Sequence, residues 1–230
     1  MHKRIYRPFL HKEAVFSICC DRFQTISVEI IKQRRILEQY IQKHPEFQHA
    51  LEPVEALPGA PISAQRMARA AQLVGVGPMA AVAGTMAQLA AETGIQAGAP
   101  EVIVENGGDI YLLADKPVTI ILHTGTEKLA DNLALALEPG DTPLSICSSS
   151  GKMGHSRSLG RCDLATVVAK DAALADAAAT LAANLVTSVD DIDSALERIS
   201  TIEGIDGVMI VKKERVGLAG HLPPLVKVNH

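Results

Sequence analysis

"PEVIVENGGDIYLLADKPVTIILH", residues 100–123, holds three short runs of β-branched and aliphatic residues, broken at Asn106-Gly107 and again at Asp115-Lys116. Asn and Gly accept the positive φ of a tight turn, so the stretch predicts three strands joined by tight turns. Further along, "LATVVAK" (164–170) reads as another strand, "DAALADAAATLAANLV" (171–186) as a helix that Asp171 can cap, and "DIDSALERIS" (191–200) as a last amphipathic helix. "GVMIVKKERVGLAG" (207–220) reads as a closing hairpin. Strands that follow one another through tight turns, with helices in blocks, favour an α+β fold. The sheet is then largely antiparallel and packs against a layer of helices.

Upstream, "AVFSICC" (14–20) and "FQTISVEII" (23–31) are short, β-branched and partly alternating, and predict a hairpin about Asp21-Arg22. The next segment, 29–47, sets Ile30, Ile31, Ile36, Leu37, Tyr40 and Ile41 at helical spacing against Lys and Arg, and Pro45 ends the helix. Prolines at 53, 58 and 61 mark residues 52–62 as an internal linker. A helix should follow from about Ser63, as its cap, to Val74. Gly75 stops it, and Pro78 opens the next, which runs to about Glu92.

The bulk numbers exclude several functions. The chain has 230 residues, 47% of them apolar, enough for a packed core and for a single domain over 1–230. A net charge of −4 with scattered basic residues, 3% aromatics and no Trp argue against a nucleic-acid surface. Residues 70–91 carry no charge, but Gly75, Gly77 and Pro78 interrupt them and Gln72 and Gln88 flank them. A buried helix pair is expected there, with no membrane span. Cys19, Cys20, Cys147 and Cys162 lack metal-ligand or redox spacing and read as reduced thiols of a cytoplasmic protein. The N-terminal apolar run, 14–20, is too brief for a signal-peptide core.

On a helical wheel Leu174, Leu181 and Leu185 form one stripe, and Asp176, Thr180 and Asn184 lie together roughly opposite. No Lys, Arg or Glu occurs from 172 to 189, so the polar stripe is not expected to face bulk water. A carboxylate in such a place needs a partner. A hydrogen-bonded polar pair is one solution, and a site where Asp176 and Thr180 offer oxygen ligands to Mg²⁺ or Ca²⁺ is the other. Asn106, Gly107, Gly108 and Asp109 exceed what a two-residue turn needs, which admits ligand approach to the backbone. Gly77-Pro78 exposes helix N–H groups, either as helix punctuation or as a seat for an anion. Gly84 inside a helix calls for close packing or a nearby ligand. Residues 147–156, "CSSSGKMGHS", gather Ser148, Ser149, Ser150, Gly151, Lys152 and His155, a composition suited to a phosphate-bearing ligand although not a P-loop. His155 is the candidate general base.

In this order the stretches resemble the ApbE-like family, the FAD:protein FMN transferases, over roughly residues 77–185. "ATVVAKDAALADAAATLAANL" resembles the family's strand and Ala-Asp-Ala-Leu-Ala-Thr-Ala-Leu helix, whose Asp and Thr bind Mg²⁺ and fall on Asp176 and Thr180. "VIVENGGDI" is similar to its Gly-Gly-Asp stretch through Gly107, Gly108 and Asp109. "AVAGTMAQLAAETG" is similar to its flavin-side helix through Gly84, and Ser149 to Gly151 to its Thr-Ser-Gly. The chain departs from the pattern at Ala83, where the family places a Lys, and between His155 and Leu164, where no counterpart of the family's His-containing flavin segment stands. It resembles a compact branch of that family.

The resemblance implies an ApbE-like, T-fold-like architecture. It further implies Mg²⁺ at Asp176 and Thr180, and FAD or FMN held through Gly84, Asn106 to Asp109 and Ser149 to Lys152. The expected function is a magnesium-dependent enzyme that processes a flavin or related nucleotide, with a protein hydroxyl or water as acceptor. The alternative is a noncatalytic protein that binds a flavin or another anionic ligand. A homodimer is expected because so much weakly polar helix surface is hard to cover within one chain.

Overall fold

The computed structural model of the protein describes residues 3–124, 133–151 and 162–228. A hairpin opens the chain: β1 (Arg7–His11) and β2 (Ala14–Cys19) pair antiparallel across Lys12-Glu13. This corrects the expected start. The hairpin lies one segment earlier than predicted, and "FQTISVEII" is the first part of α1 (Phe23–Lys43). Helical periodicity outweighs β-branching there, because Ile26, Ile30, Leu37 and Tyr40 fall on one buried face. Pro8 and the flanking charges hid β1, which sits on the sheet edge where a proline is tolerated.

A short helix, α2 (Pro45–His49), follows, and then the Pro-rich stretch, which has no helix or strand. It is pinned to α1 by Leu57 N–H donating to the Tyr40 hydroxyl at 3.1 Å. α3 (Ile62–Val74) is capped by Pro61, not by Ser63, whose side chain is buried one residue inside the helix. It ends as predicted at Gly75, in the left-handed region. Pro78 opens a single tight turn, Pro78–Ala81, and α4 (Val82–Gln96) continues from it, one turn longer than expected.

β3 (Val102–Asn106), β4 (Asp109–Leu113) and β5 (Val118–Leu122) are the three strands of the opening stretch. The first turn is displaced by one residue from the prediction. Asn106 pairs with Asp109, and Gly107 and Gly108 take the positive φ values. The second turn does not close a hairpin. The free edge of β4 is taken by β7 (Leu144–Ser149), and β5 instead joins β6 (Leu133–Leu137) and β11 (Leu225–Lys227) in a separate sheet.

β8 (Leu164–Ala169), α5 (Ala172–Leu185), α6 (Ile192–Ser200), β9 (Ile205–Lys212) and β10 (Arg215–Gly220) match the predicted elements. The main sheet runs β1-β2-β3-β4-β7-β8-β9-β10, with every pairing antiparallel. Alternation along its strands sends Val104, Cys147, Val167 and Ile210 to the helices, and Ile103, Ile146, Val168 and Met209 to the small sheet. The result is three layers, with α4 and α5 at the centre of the helical one. Among the described residues, no single helix is long and apolar enough to cross a membrane. α3 and the next helical segment are bent 107° from one another.

The hairpins β1–β2 and β9–β10 each turn on a Lys-Glu pair whose lysine, Lys12 or Lys213, has positive φ. That conformation costs a non-glycine residue about 1 kcal/mol. Lys213 is exposed, and its bond to Asp163 uses the backbone N–H, which glycine keeps. Lys213→Gly is therefore expected to stabilise the protein by about 0.5–1 kcal/mol in urea unfolding. Unchanged or reduced stability would show that the lysine conformation is not strained.

Candidate functional site

α4 and α5 meet through backbone at Gly84. A methyl group on Gly84 would strike the Ala172 carbonyl and lie 2.9 Å from the Asp176 Cβ, so only glycine permits this approach. Glycine inside a helix costs about 1 kcal/mol relative to alanine, and close packing is what it secures here. At the same contact Gly84 N–H donates to Asp176 Oδ2 at 2.9 Å. α4 has Ala81 at its N-cap and no side-chain cap of its own. A carboxylate from the neighbouring helix thus satisfies a donor that a local Ser or Asp would otherwise take, at the positive end of the α4 dipole.

α5 is placed by two further polar anchors. Asp171 accepts from Ala173 and Leu174 N–H, as the sequence predicts for its cap. Gln88 of α4 accepts the Ala172 N–H at 2.8 Å and donates to Glu92, which pairs through both oxygens with Arg66 of α3. This chain of side chains ties α3, α4 and α5 together. Sequence reasoning used Gln88 only to argue against a membrane span, although a lone amide in an uncharged run was itself the signal.

The sheet contributes from below. Asn106 and Asp109 close β3 and β4 across the Gly107-Gly108 turn, and both are buried. Asn106 Nδ2 donates to the Ala83 carbonyl of α4 at 3.2 Å. Asp109 Oδ1 accepts the Ser148 N–H at 3.3 Å, and the Cys147 thiol, which donates to the Ala172 carbonyl at 3.6 Å, lies beside it. Burial pushes the Asp109 carboxyl well above the usual carboxylate range, and the charge of Asp176 adds to that. Burial likewise raises Asp176 to about 7, against the opposing pull of the Gly84 and Ala83 N–H groups. Among the described residues, none of the groups acting most strongly on either carboxyl is a cation. Two acids therefore share a sheltered place that, among the described residues, favours their protonated forms.

Thr180 is buried one turn beyond Asp176, and Asn184 follows half-buried, so the polar stripe of α5 is indeed withdrawn from bulk water. The leucine stripe opposite is buried at Leu174 and emerges at Leu185. Ser149 ends β7, Ser150 is buried just beyond it, and Gly151 N–H donates to the Cys162 carbonyl at 2.9 Å. Lys152 and His155 lie outside the described residues. Gly107 has open space where a Cβ would stand, and Gly108 has only the Ser148 carbonyl at 3.9 Å, so positive φ, not crowding, requires both glycines. Gly77 is explained by the Ala50 backbone packed against it. Sequence reasoning missed Cys147 and Ala83 as parts of this constellation. Neither residue type advertises a contact that only sheet register creates.

Two measurements check this geometry. Gly84→Ala is expected to cost roughly 2–3 kcal/mol by overpacking α4 on α5, read from urea unfolding. A loss under about 0.5 kcal/mol would mean that the helices do not meet through backbone there. The second is pH dependence. A carboxyl raised on folding binds more protons in the folded state, so its contribution is full below the unfolded value near 3.9 and is lost as pH rises through about 7. Without added metal, the wild-type protein should lose more stability between pH 4 and 7.5 than Asp176→Asn does. Parallel profiles would contradict the burial of an ionisable pair.

The comparisons with known proteins agree with this architecture. The family described as "AbpE bacteria" matches residues 20–216. A UPF0280 protein of Methanosarcina acetivorans is 37% identical over 98% of this chain and 90% of its own length. Another, from Archaeoglobus fulgidus, is 41% identical over 94% and 92%. Among solved structures, the flavinyl transferase ApbE of Pseudomonas stutzeri in its apo form superposes with a TM-score of 0.62 at 12% identity, over 96% of this chain and 94% of that one. The ApbE protein of Thermotoga maritima does so with a TM-score of 0.60 at 11% identity, over 98% and 97%. The shared antiparallel sheet and helical layer, and the match across most of the chain, show that this protein belongs to the ApbE family, alongside the UPF0280 proteins.

Proposed function

We propose that the protein is a magnesium-dependent enzyme acting on FAD or a related nucleotide. The observation that carries this reading is the buried carboxylate of Asp176, one helical turn from the Thr180 hydroxyl and electrostatically joined to Asp109. The donor types fit Mg²⁺: hard oxygens from one or two carboxylates and a hydroxyl, with water and phosphate oxygens to complete six ligands when the ion is bound. It does not fit a structural zinc site, since no group of three or more His, Cys, Asp or Glu gathers among the described residues. Asp176 and Thr180 would hold the ion. When bound, Mg²⁺ neutralises charge that develops on phosphate oxygens as a phosphoanhydride breaks.

The protein's own groups do the remainder. The open Gly107-Gly108 turn admits a ligand to the backbone, and Ser149, at the end of β7, adds a hydroxyl. Lys152 is the candidate phosphate partner and His155 the candidate base that takes the acceptor's proton. In the transfer, an acceptor hydroxyl forms a bond to the FMN-side phosphorus, the anhydride P–O bond breaks, and AMP leaves. With water as acceptor the products are FMN and AMP. The names of the structural relatives, flavinyl and flavin transferases, support the flavin. The same reading treats residues 1–230 as one domain in a reducing, cytoplasmic compartment, consistent with four free and buried cysteines.

A second reading rests on Ala83, which stands where the resembled family carries a lysine: the cleft would bind a flavin or other anionic ligand without turning it over. In both readings the protein is a homodimer. The exposed cross-strand pair Leu10 and Val15, with Val28 and Ile31 exposed on α1, supplies apolar surface for the contact.

Incubation of the purified protein with FAD and Mg²⁺ is expected to release AMP, and chelation or Asp176→Asn should reduce the rate by roughly a hundredfold or more. Bound yellow flavin with no AMP would establish the second reading. Neither flavin binding nor AMP would overturn both. Light scattering at micromolar concentration should give twice the chain mass, and a monomer there would remove the dimer.

A further inference from the structure

We infer that Asn106 is a positioning residue for Asp176, acting through the single peptide unit that joins Ala83 to Gly84. The carbonyl of that unit accepts from Asn106 Nδ2 at 3.2 Å, and its N–H donates to Asp176 Oδ2 at 2.9 Å. A trans peptide directs these two groups to opposite sides, so Asn106 and Asp176 grip one rigid plane from its two ends. Asn106 belongs to the end of a sheet strand and Asp176 to the middle of a helix, 70 residues later in the chain. Among the described residues, the peptide plane is what joins them.

The relay has a direction. A donor on a peptide oxygen polarises the unit and makes its N–H a better donor, and hydrogen bonds in series strengthen one another by roughly 10–30% per bond in a low-dielectric interior. Gly84 adds the geometric constraint, because the absent Cβ is what brings the N–H within reach of α5. Asn106 is 7% exposed and Asp176 8% exposed, so water competes weakly at either end. With Oδ2 engaged by Gly84, the carboxylate is held in rotation, which sets the direction in which it can meet a cation. Outer groups that orient a ligand in this way typically alter metal affinity 10- to 100-fold when removed. The cation role rests on the proposed magnesium reading. The relay itself does not.

The experiment separates the two. Labelling alanine with ¹³C at the carbonyl and glycine with ¹⁵N selects the Ala-Gly amides, which in this chain are Gly84, Gly98 and Gly220. In metal-free wild type the Gly84 amide proton should lie downfield of the other two. Asn106→Leu, which keeps the volume and removes the donor, should move it upfield while Gly98 and Gly220 stay. Asn106→Ser, which shortens the reach, is the second variant should the leucine fail to fold. The same variants should bind Mn²⁺, followed by its electron paramagnetic resonance signal, about tenfold more weakly than wild type. Val104→Ala, on the same strand and face, is the control that lowers stability without touching the relay.

An unmoved Gly84 amide in the Asn106 variants would overturn the relay. A moved amide with Mn²⁺ affinity within about twofold of wild type would overturn the positioning role. Equal effects from Val104→Ala would show that general loosening, not the donor, is responsible. Wild-type protein that binds no Mn²⁺ would sink the magnesium reading and with it the positioning of a cation, while the amide still decides whether the relay exists.

Discussion

The buried contact between the Asp176 carboxylate and the first turn of α4 governs the structure around it. α5 carries no charged side chain besides Asp176, and its faces are buried almost along its whole length. Burying a lone carboxylate in such a helix is costly without compensation. The N–H of Gly84 supplies part of it. That contact requires α4 to lie against α5 at backbone distance, which requires glycine at 84 and small residues along α5. The alanine richness of 172–183 follows from the same demand, because larger side chains would hold the helices apart.

The compensation is incomplete, and the incompleteness is informative. Asp176 remains raised to about 7, and burial and its neighbour hold Asp109 well above the usual carboxylate range. Stable proteins rarely keep two acids together in an apolar setting with no balancing cation unless the pair has work to do. A divalent ion resolves the imbalance in a single step. Hydrogen bonding by the Ser148 N–H to Asp109 shows that the sheet also contributes a donor to the charge. The carboxylates, the open glycine turn and the serine-rich end of β7 therefore gather where helix and strand ends meet.

Much of this was legible before any coordinates. Alternation and turn chemistry located β3, β4, β8 and the β9–β10 hairpin, and the absence of Lys, Arg and Glu from 172 to 189 revealed a sheltered helix face. Asp176 and Gly84 were singled out separately, yet nothing in their spacing says that they touch. Helix crossing is a tertiary fact, and the 92 residues between them carry no local record of it. The partner of β5 was misread for the same reason: a turn predicts a reversal of the chain, not which edge is already occupied. "FQTISVEII" was lost to β-branched propensity, which packing overrides. In sequence Asn106 reads as a turn residue or as part of a ligand-binding turn, and neither reading foresees that its side chain bonds to the Ala83 carbonyl of α4.

The family resemblance and the physical reading converge on one pair of side chains, and they can be separated by locating an ion. A crystal grown with Mn²⁺ in place of Mg²⁺, with anomalous scattering measured at the manganese edge, tests the central claim most directly. The account predicts one strong peak coordinated by the Asp176 carboxylate and the Thr180 hydroxyl, with Gly84 N–H still bonded to the other carboxylate oxygen. Manganese bound only elsewhere, or a well-ordered Asp176 and Thr180 with no peak beside them at saturating Mn²⁺, would contradict it.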